Sequence, residues 1–327
     1  MKRNYSSFII HHSALVLLAA ALMAAMPGTV RGQQYPAKVV RIISPFVPGG
    51  PGDLLPRGIA ASLGPMLGQQ VIVENRPGAS QTIGMQLAAK APPDGYTLLF
   101  ATVTGLATNV SAFKNLPYDP VRDFAPITLC FTTPLYLVVH PSLPVRNVKQ
   151  LIALAKAQPG KLTFASGGHA TTNQLAAELF KLVAGVDMLH VPYKSAAPAM
   201  VDVMAGHVSL MFAAGGLSES RTGKVRVLAA TTARRFPGAP DVPAVAETLP
   251  GFEISLWFSM VAPAGTPAPI VTRLSEEIGK VLREPALRER FNTLEATPST
   301  PEALGELIKR EIPRWRKVFE AAKIAPE

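Results

Sequence analysis

One cysteine, Cys130, stands in a chain of 327 residues. That count leaves no intramolecular disulfide and no multi-cysteine zinc or iron–sulfur framework. Charged side chains make up only 17% against 48% hydrophobic ones, the reverse of the balance that keeps a chain disordered. There is no G-x-S-x-G elbow, no G-x-x-x-x-G-K-[ST] loop and no G-x-G-x-x-G on a strand–helix junction. His140, His169, His190 and His207 lack the i, i+4 spacing of a helical metal site. Beyond residue 26 no segment reaches 18 uncharged apolar residues, the length that marks a membrane span. Acidic residues are in short supply, 22 against 32 Lys and Arg, for a formal charge of +10. What is plentiful is turn chemistry: 25 glycines and 31 prolines, without the Gly-X-Y period of collagen. The composition is that of a loop-rich globular protein, and the length suggests about two domains.

The N-terminus reads as an address. Lys2 and Arg3 precede an uncharged apolar stretch from Ser13 to Met26, which Pro27 and Gly28 break. Fourteen residues fall short of the about 20 that a bilayer core requires, and the order of features is that of a secretory signal peptide over residues 1–32. Cleavage is expected before Gln33, with Ala25 as a second site; the competing reading is a buried N-terminal helix. No cysteine lies near the cleavage region, which argues against a lipid anchor. Export to the periplasm follows as the expectation. Loss of Lys2, Arg3 and Arg31 leaves the mature chain at +7. That charge concentrates anions at the surface or serves only for solubility. The basic clusters Arg234-Arg235 and Arg314-Trp-Arg316-Lys317 are short and lack interleaved aromatics, so nucleic acid is not an expected partner.

From Lys38 onward, apolar β-rich runs alternate with helical periods. Strands are predicted at residues 39–46, 70–74 and 96–101, and helices at 54–67 and 83–90. This β–α–β–α–β rhythm belongs to a mostly parallel sheet covered by helices. It restarts in the middle, with strands at 135–140, 162–165, 188–191, 208–212 and 225–230 and helices at 148–157, 172–183 and 197–204. A long segment at 254–261 and helices at 269–283, 285–294 and 301–322 close the chain. Two α/β domains are inferred, joined by crossing strands near residues 126–133 and 253–261.

One arrangement recurs: a strand delivers a small-residue loop to a helix N-terminus. The cases are residues 48–53, 101–104, 166–172 and 193–195. Helix N-termini present unpaired amides and roughly half a positive charge. Glycine lets backbone approach a ligand closely, so such loops hold anions without formal charge. Two from each domain form a two-ended carboxylate clamp. Bland readings stand beside this one. Asp53 is read as a cap for a helix beginning at Leu54, with an indirect role in shaping its loop. Lys194 either neutralises a distal carboxylate or sits at the rim. His190 reads as a satisfied core residue, and Cys130 as a buried inert thiol. Ser166 with His169 suggests a nucleophile and base, but nothing supplies an orienting third group.

Several stretches, in order, carry a resemblance: Ile42-Ile-Ser-Pro-Phe-Val-Pro-Gly-Gly50, Val71-Ile-Val-Glu-Asn-Arg-Pro-Gly-Ala79, Pro93-Asp-Gly-Tyr-Thr-Leu-Leu99, Leu116-Pro-Tyr-Asp-Pro120, Asp123-Phe-Ala-Pro126, Pro159-Gly-Lys-Leu162, His190-Val-Pro-Tyr-Lys194, Asp241-Val-Pro-Ala-Val-Ala-Glu247 and Ala262-Pro-Ala-Gly-Thr-Pro267. Over about residues 35–325 the chain resembles the Bug family, the extracytoplasmic solute receptors associated with tripartite tricarboxylate transporters. The resemblance implies an α/β, two-lobed type II periplasmic-binding-protein fold with two crossing hinge strands. Lobe 1 would comprise residues 33–128 and 254–327, and lobe 2 residues 129–253. Such a receptor closes like a Venus flytrap on a small organic acid anion, a mono-, di- or tricarboxylate, and passes it to membrane permease subunits. It is not an enzyme and has no cofactor or metal.

The implied ligand-binding residues are Phe46, Pro48, Gly49, Gly50, Asp53, Ala101, Thr102 and Thr104 in the first lobe. In the second they are Ser166, Gly168, His169, Thr171, Thr172, Tyr193, Lys194 and Ala213. Three departures from the family stand out: Pro51-Gly52 replaces Ser/Gly-Thr before the aspartate, His169 replaces an asparagine or small residue, and Ala213 replaces a frequent aspartate. Loss of that acid argues against an amino-acid ligand. A sensor presenting its liganded form to a signalling partner is the alternative, and a periplasmic hydrolase using Ser166 or His169 a remote one.

Overall fold

The computed structural model describes residues 35–327; the expected signal peptide lies outside the described residues. The first strand, β1 (Val40–Ser44), is buried on both faces apart from a half-buried Arg41, as a central parallel strand requires. Helix α1 (Pro51–Leu67) follows and stops at Gly68, which takes the left-handed conformation at φ 69°. It begins at Pro51 rather than at the predicted Leu54, because a proline at the first position forfeits only an amide that would be unpaired anyway. Pro56 then falls inside the helix, where its missing N–H strands the carbonyl of Gly52. The buried hydroxyl of Ser44 at the end of β1 donates to that carbonyl at 2.7 Å. The proline defect in α1 thus becomes its tether to the sheet.

The chain continues through β2 (Val71–Asn75), α2 (Thr82–Ala89), β3 (Thr97–Thr102), a π-helical turn at Thr104–Thr108 and α3 (Asn109–Ala112). Next come β4 (Phe124–Pro134), β5 (Tyr136–Val139), α4 (Val148–Ala157), β6 (Thr163–Ser166) and α5 (Thr172–Ala184). These lead to β7 (Leu189–Pro192), α6 (Ala196–Met204), β8 (Leu210–Ala213), α7 (Gly216–Ser220) and β9 (Arg226–Ala230). The last elements are β10 (Ser255–Pro263), α8 (Ala268–Arg283), α9 (Pro285–Arg290), β11 (Glu295–Ala296) and α10 (Pro301–Ala321).

Two sheets form, one of six strands in the order β11-β4-β10-β3-β1-β2 and one of five in the order β7-β6-β8-β5-β9. Within each, only three strands are parallel: β1, β2 and β3 in the first, β6, β7 and β8 in the second. The expectation of mostly parallel sheets is corrected here, since β4, β10 and β11 and likewise β5 and β9 run antiparallel to their neighbours. Strand β11, two residues long, was not expected; the helix predicted to Leu294 ends at Arg290.

Register places the two sets of parallel strands face to face. Phe258 of β10 pairs with Thr102 at the end of β3 and with Phe131 of β4, so β4 runs in the same direction as β3 and extends three residues past its end. Only Leu135 separates β4 from β5, whose first residue Tyr136 pairs with Ala213 at the end of β8. The carboxyl ends of β3 and β8 therefore both abut the junction of the sheets. A third element also touches both halves. Helix α10 packs on β4, α3 and the π turn of the first sheet and on α5 of the second. Its Trp315 and Phe319 belong to a continuous apolar core that also takes in Phe180, Phe212 and Phe252. The buried indole N–H of Trp315 donates to Glu311 at 3.0 Å, and Arg314 bonds the same carboxylate at 2.9 Å. Cys130 is fully buried, and burial pushes its thiol far above the usual range, the inert state read from its apolar surroundings.

Candidate functional site

At the first sheet, the loops after β1, β2 and β3 are laced to one another by side chains. Asp53 lies in the first turn of α1, not at the cap position, which Gly50 occupies. Its carboxylate turns back and accepts from the Gly49 amide at 3.0 Å, from Arg57 Nε at 2.8 Å and from Asn75 Nδ2 at 2.8 Å. Asn75 also donates to the Phe46 carbonyl at 3.1 Å and accepts from Arg57 at 2.7 Å. Burial pushes the Asp53 carboxyl up, but the bonds from Gly49, Asn75 and Arg57 and the Arg57 charge outweigh it and hold it below the usual carboxylate range. The expected cap at Asp53 is corrected, while its expected part in shaping the loop is what the structure shows: it fastens residues 46–50 to α1 and β2. Gly49 sits at φ 94°, a conformation costly for any residue with a Cβ. The Phe46 ring lies where a Cβ on Gly52 would be, 2.2 Å from its nearest atom, so the absence of a side chain at Gly52 makes room for that ring.

A further loop, absent from the sequence expectations, completes this end. After Gly78 the residues Ala79, Ser80 and Gln81 take φ of 44°, 50° and 77° in succession. Three consecutive left-handed non-glycine residues are strained, and such strain persists only where the surroundings impose it. Here Asn109 donates to the Ser80 carbonyl at 2.8 Å, and the Gln81 amide pairs with the Thr102 hydroxyl at 2.9 Å. Thr102 also accepts from the Thr104 amide at 3.3 Å, while Ala101 is wholly buried beneath. The signal was Asn75-Arg-Pro-Gly78 leaving the end of a strand, the same strand-to-loop delivery recognised elsewhere.

At the second sheet, Ser166 ends β6 fully buried. Its hydroxyl accepts from the Gly168 amide at 3.1 Å and lies 2.7 Å from His190 Nε2. Thr171 donates to the Gly168 carbonyl at 2.8 Å, and Asn173 fixes the end of β8 through the Phe212 carbonyl. Gly168, at φ 109°, lets the loop lie against the Tyr193 carbonyl, 3.0 Å from where a Cβ would be. Tyr193 turns its hydroxyl to Asp202 at 2.5 Å; burial and that carboxylate push it up to about 12. Lys194 is exposed, Thr172 opens α5, and Ala213 is buried at the end of β8. Ser166 is paired with His190 rather than with His169, so the nucleophile–base pairing considered for Ser166 and His169 is not formed. The hydroxyls of Thr102, Ser166 and Thr171 shape their loops.

His169 has a different situation. Its Nδ1 lies 3.9 Å from Glu327, whose backbone pairs with Ala112 and Lys114 at 2.9 Å each on the other half. Its Nε2 is buried and has no hydrogen-bond partner among the described residues. His190, half-buried and stacked on Phe164 at 4.7 Å, sits below its ordinary 6.5 because of burial and the nearby Lys181 and His169 charges. A group with a depressed native pKa contributes stability that is complete above its unfolded value and lost as pH falls through the native one. Urea midpoints should therefore drop more steeply from pH 7 to pH 5 in the native protein than in His190→Gln; parallel slopes would contradict this.

Two sets of glycine-containing loops at the carboxyl ends of parallel strands, on two sheets joined by crossing strands, are the architecture of a periplasmic-binding-protein-type solute receptor. Residues 55–324 match the model of the TctC family, described as the tripartite tricarboxylate transporter family receptor. The chain belongs to that family and is a Bug-type periplasmic solute-binding protein. It is 37% identical to Protein BugT of Bordetella pertussis, over 93% of this chain and 94% of that one. Among solved structures it resembles R. palustris Rpa4515 with adipate, at TM-score 0.81 and 36% identity, covering 90% of this chain and 100% of that one. It also resembles MatC from Rhodopseudomonas palustris with bound malate, at TM-score 0.76 and 30% identity, covering 87% and 99%.

Proposed function

We propose that this receptor captures a small organic acid anion, a mono- or dicarboxylate without an ammonium group, between its two halves. It then delivers the acid to a tripartite tricarboxylate-type permease. The observation that carries the reading is the ring of loops: their polar side chains are largely spent on holding strained or glycine backbone at facing strand ends. Recognition then falls to main-chain amides, which suit carboxylate oxygens. In the first half the residues are Phe46, Pro48, Gly49, Gly50, Ala101, Thr102 and Thr104, with Ala79–Gln81 beside them. In the second they are Ser166, Gly168, His169, Thr171, Thr172, Tyr193, Lys194 and Ala213. The unpartnered His169 Nε2 supports a donor for one end of the acid. The lobes divide where the chain passes between the sheets, at Leu135 and Ile254 rather than at the expected residue 129: residues 35–134 with 255–327, and 136–253.

Selectivity rests on charge. Across residues 46–53, 78–82, 101–105, 166–172, 193–195 and 213–215 the sole acid is Asp53, which Arg57 already engages. A ligand ammonium would find no free carboxylate among these loops. Adipate with Rpa4515 and malate with MatC fit the same class. The test is a thermal-shift screen of mature protein, unfolded and refolded to remove co-purified ligand, against mono-, di- and tricarboxylates and amino acids. At 100 times Kd a ligand adds ~2.7 kcal/mol, which raises the midpoint by several degrees. Dicarboxylates should give the largest shifts; larger shifts with aspartate or glutamate, or none with any acid, would refute the assignment.

A further inference from the structure

Thr231, just beyond the end of β9, stands where the sheets are joined and is fully buried. It touches both connections at once. Its amide donates to the Leu135 carbonyl at 2.9 Å, and its hydroxyl accepts from the Leu135 amide at 2.9 Å. Its carbonyl accepts from the Ile254 amide at 2.8 Å, and its hydroxyl donates to the Ile254 carbonyl at 2.7 Å. Leu135 is the single residue between β4 and β5, and Ile254 immediately precedes β10. One side chain therefore satisfies the open ladder positions of both crossings, at the residues where the chain passes between the sheets. The hydroxyl has one proton and gives it to Ile254, keeping a lone pair for Leu135; no other side chain of that size offers both roles except serine.

Leu135 and Ile254 are themselves buried, so neither amide nor carbonyl has water as a substitute partner. A groove of about 610 Å³ lies alongside, lined by Thr132, Thr133, Pro134, Thr232, Glu253 and Ser255 among others, and leaves the joined strands room to bend. We infer that Thr231 is the pin of the interlobe hinge: it locks the two crossings to each other so that the halves rotate about one axis and the facing loops meet in register. This rests on the proposal that ligand is captured by closure. It goes further in naming the residue that sets the path of closure, a positioning residue remote from the ligand.

The pivot is tested with spin labels at Lys90→Cys and Lys161→Cys, exposed sites on the two halves; the native Cys130 is buried and will not compete. Interlobe distances are recorded on ligand-free protein, so the result does not depend on which acid binds. Thr231→Val should broaden the distance distribution and weaken acid binding roughly tenfold, while Thr231→Ser restores both. A Thr231→Val protein that binds acid normally and keeps the native distribution would overturn the pin and leave the receptor function intact. A broadened distribution in Thr231→Val, where the native chain itself binds no acid, would sustain the pin and remove the carboxylate reading. Hydrogen exchange on the native chain decides the matter where Thr231→Val does not fold. The Leu135 and Ile254 amides should remain among the slowest with and without acid, and exchange as fast as an exposed loop would overturn the proposal.

Discussion

Asp53→Ala should destabilise the protein by about 3 kcal/mol and weaken acid binding at least tenfold. The carboxylate is 4% exposed and accepts from a backbone amide, an amide side chain and a guanidinium. Hydrogen bonds to a charged group contribute ~1.5–3 kcal/mol each. The Arg57 share is discounted because its side chain is 45% exposed and screened by water. What the alanine leaves behind is the larger effect: Gly49 and Asn75 lose the acceptor that bends residues 46–50 over α1. Urea titration and calorimetry on the same preparation check both numbers. A loss under about 1 kcal/mol with unchanged affinity would mean that the loop holds its shape without the carboxylate. Because this carboxyl is held below its usual value, its contribution persists above the unfolded pKa near 3.8 and is lost as pH falls through the native one.

Gly84→Ala is expected to have a comparable effect through sterics alone. A Cβ there would lie 2.8 Å from Pro45 Cβ, 2.9 Å from the Arg76 carbonyl oxygen and 3.1 Å from Pro45 Cα. None of these is the end of a flexible side chain, so the β1 loop and the β2 loop must both move away from α2. Overpacking of this kind costs about 1–3 kcal/mol. The displaced segments are those that carry Phe46 and lead into Ala79–Gln81, so binding should fall with stability. Gly68→Ala, where nothing lies within 4 Å, serves as the contrast: it pays only for a positive φ and should leave affinity unchanged. Equal affinities for Gly84→Ala and the native chain would contradict the close packing of α2 on these loops.

Much of the architecture could be read before any coordinates, because local rules mark it. Gly68 and Gly185 end their helices in the left-handed conformation, and Asn147 and Thr300 cap theirs by accepting from amides three residues on. What escaped depends on pairing across long separations. Neither periodicity nor turn residues tell that β10 runs against β3, or that Glu295 and Ala296 add an edge to β4. The site divided in the same way. Glycine loops at strand ends were legible, since only glycine fits Gly49 and Gly168. The left-handed run at Ala79–Gln81 was not, because Ala, Ser and Gln carry no mark of it; Asn109 and Thr102, far along the chain, impose it. Likewise the hydroxyls of Thr102, Ser166 and Thr171, residues expected at the ligand, are held by Gln81, His190 and Gly168, partners that only the fold brings near.

Capture of an organic acid between the two halves is tested most directly by small-angle X-ray scattering on refolded, ligand-free protein titrated with adipate. The radius of gyration should fall saturably, with a midpoint matching the affinity from thermal shift, and aspartate at the same concentrations should leave it unchanged. A saturable thermal shift with a constant radius of gyration would place the acid outside the cleft and contradict capture by closure.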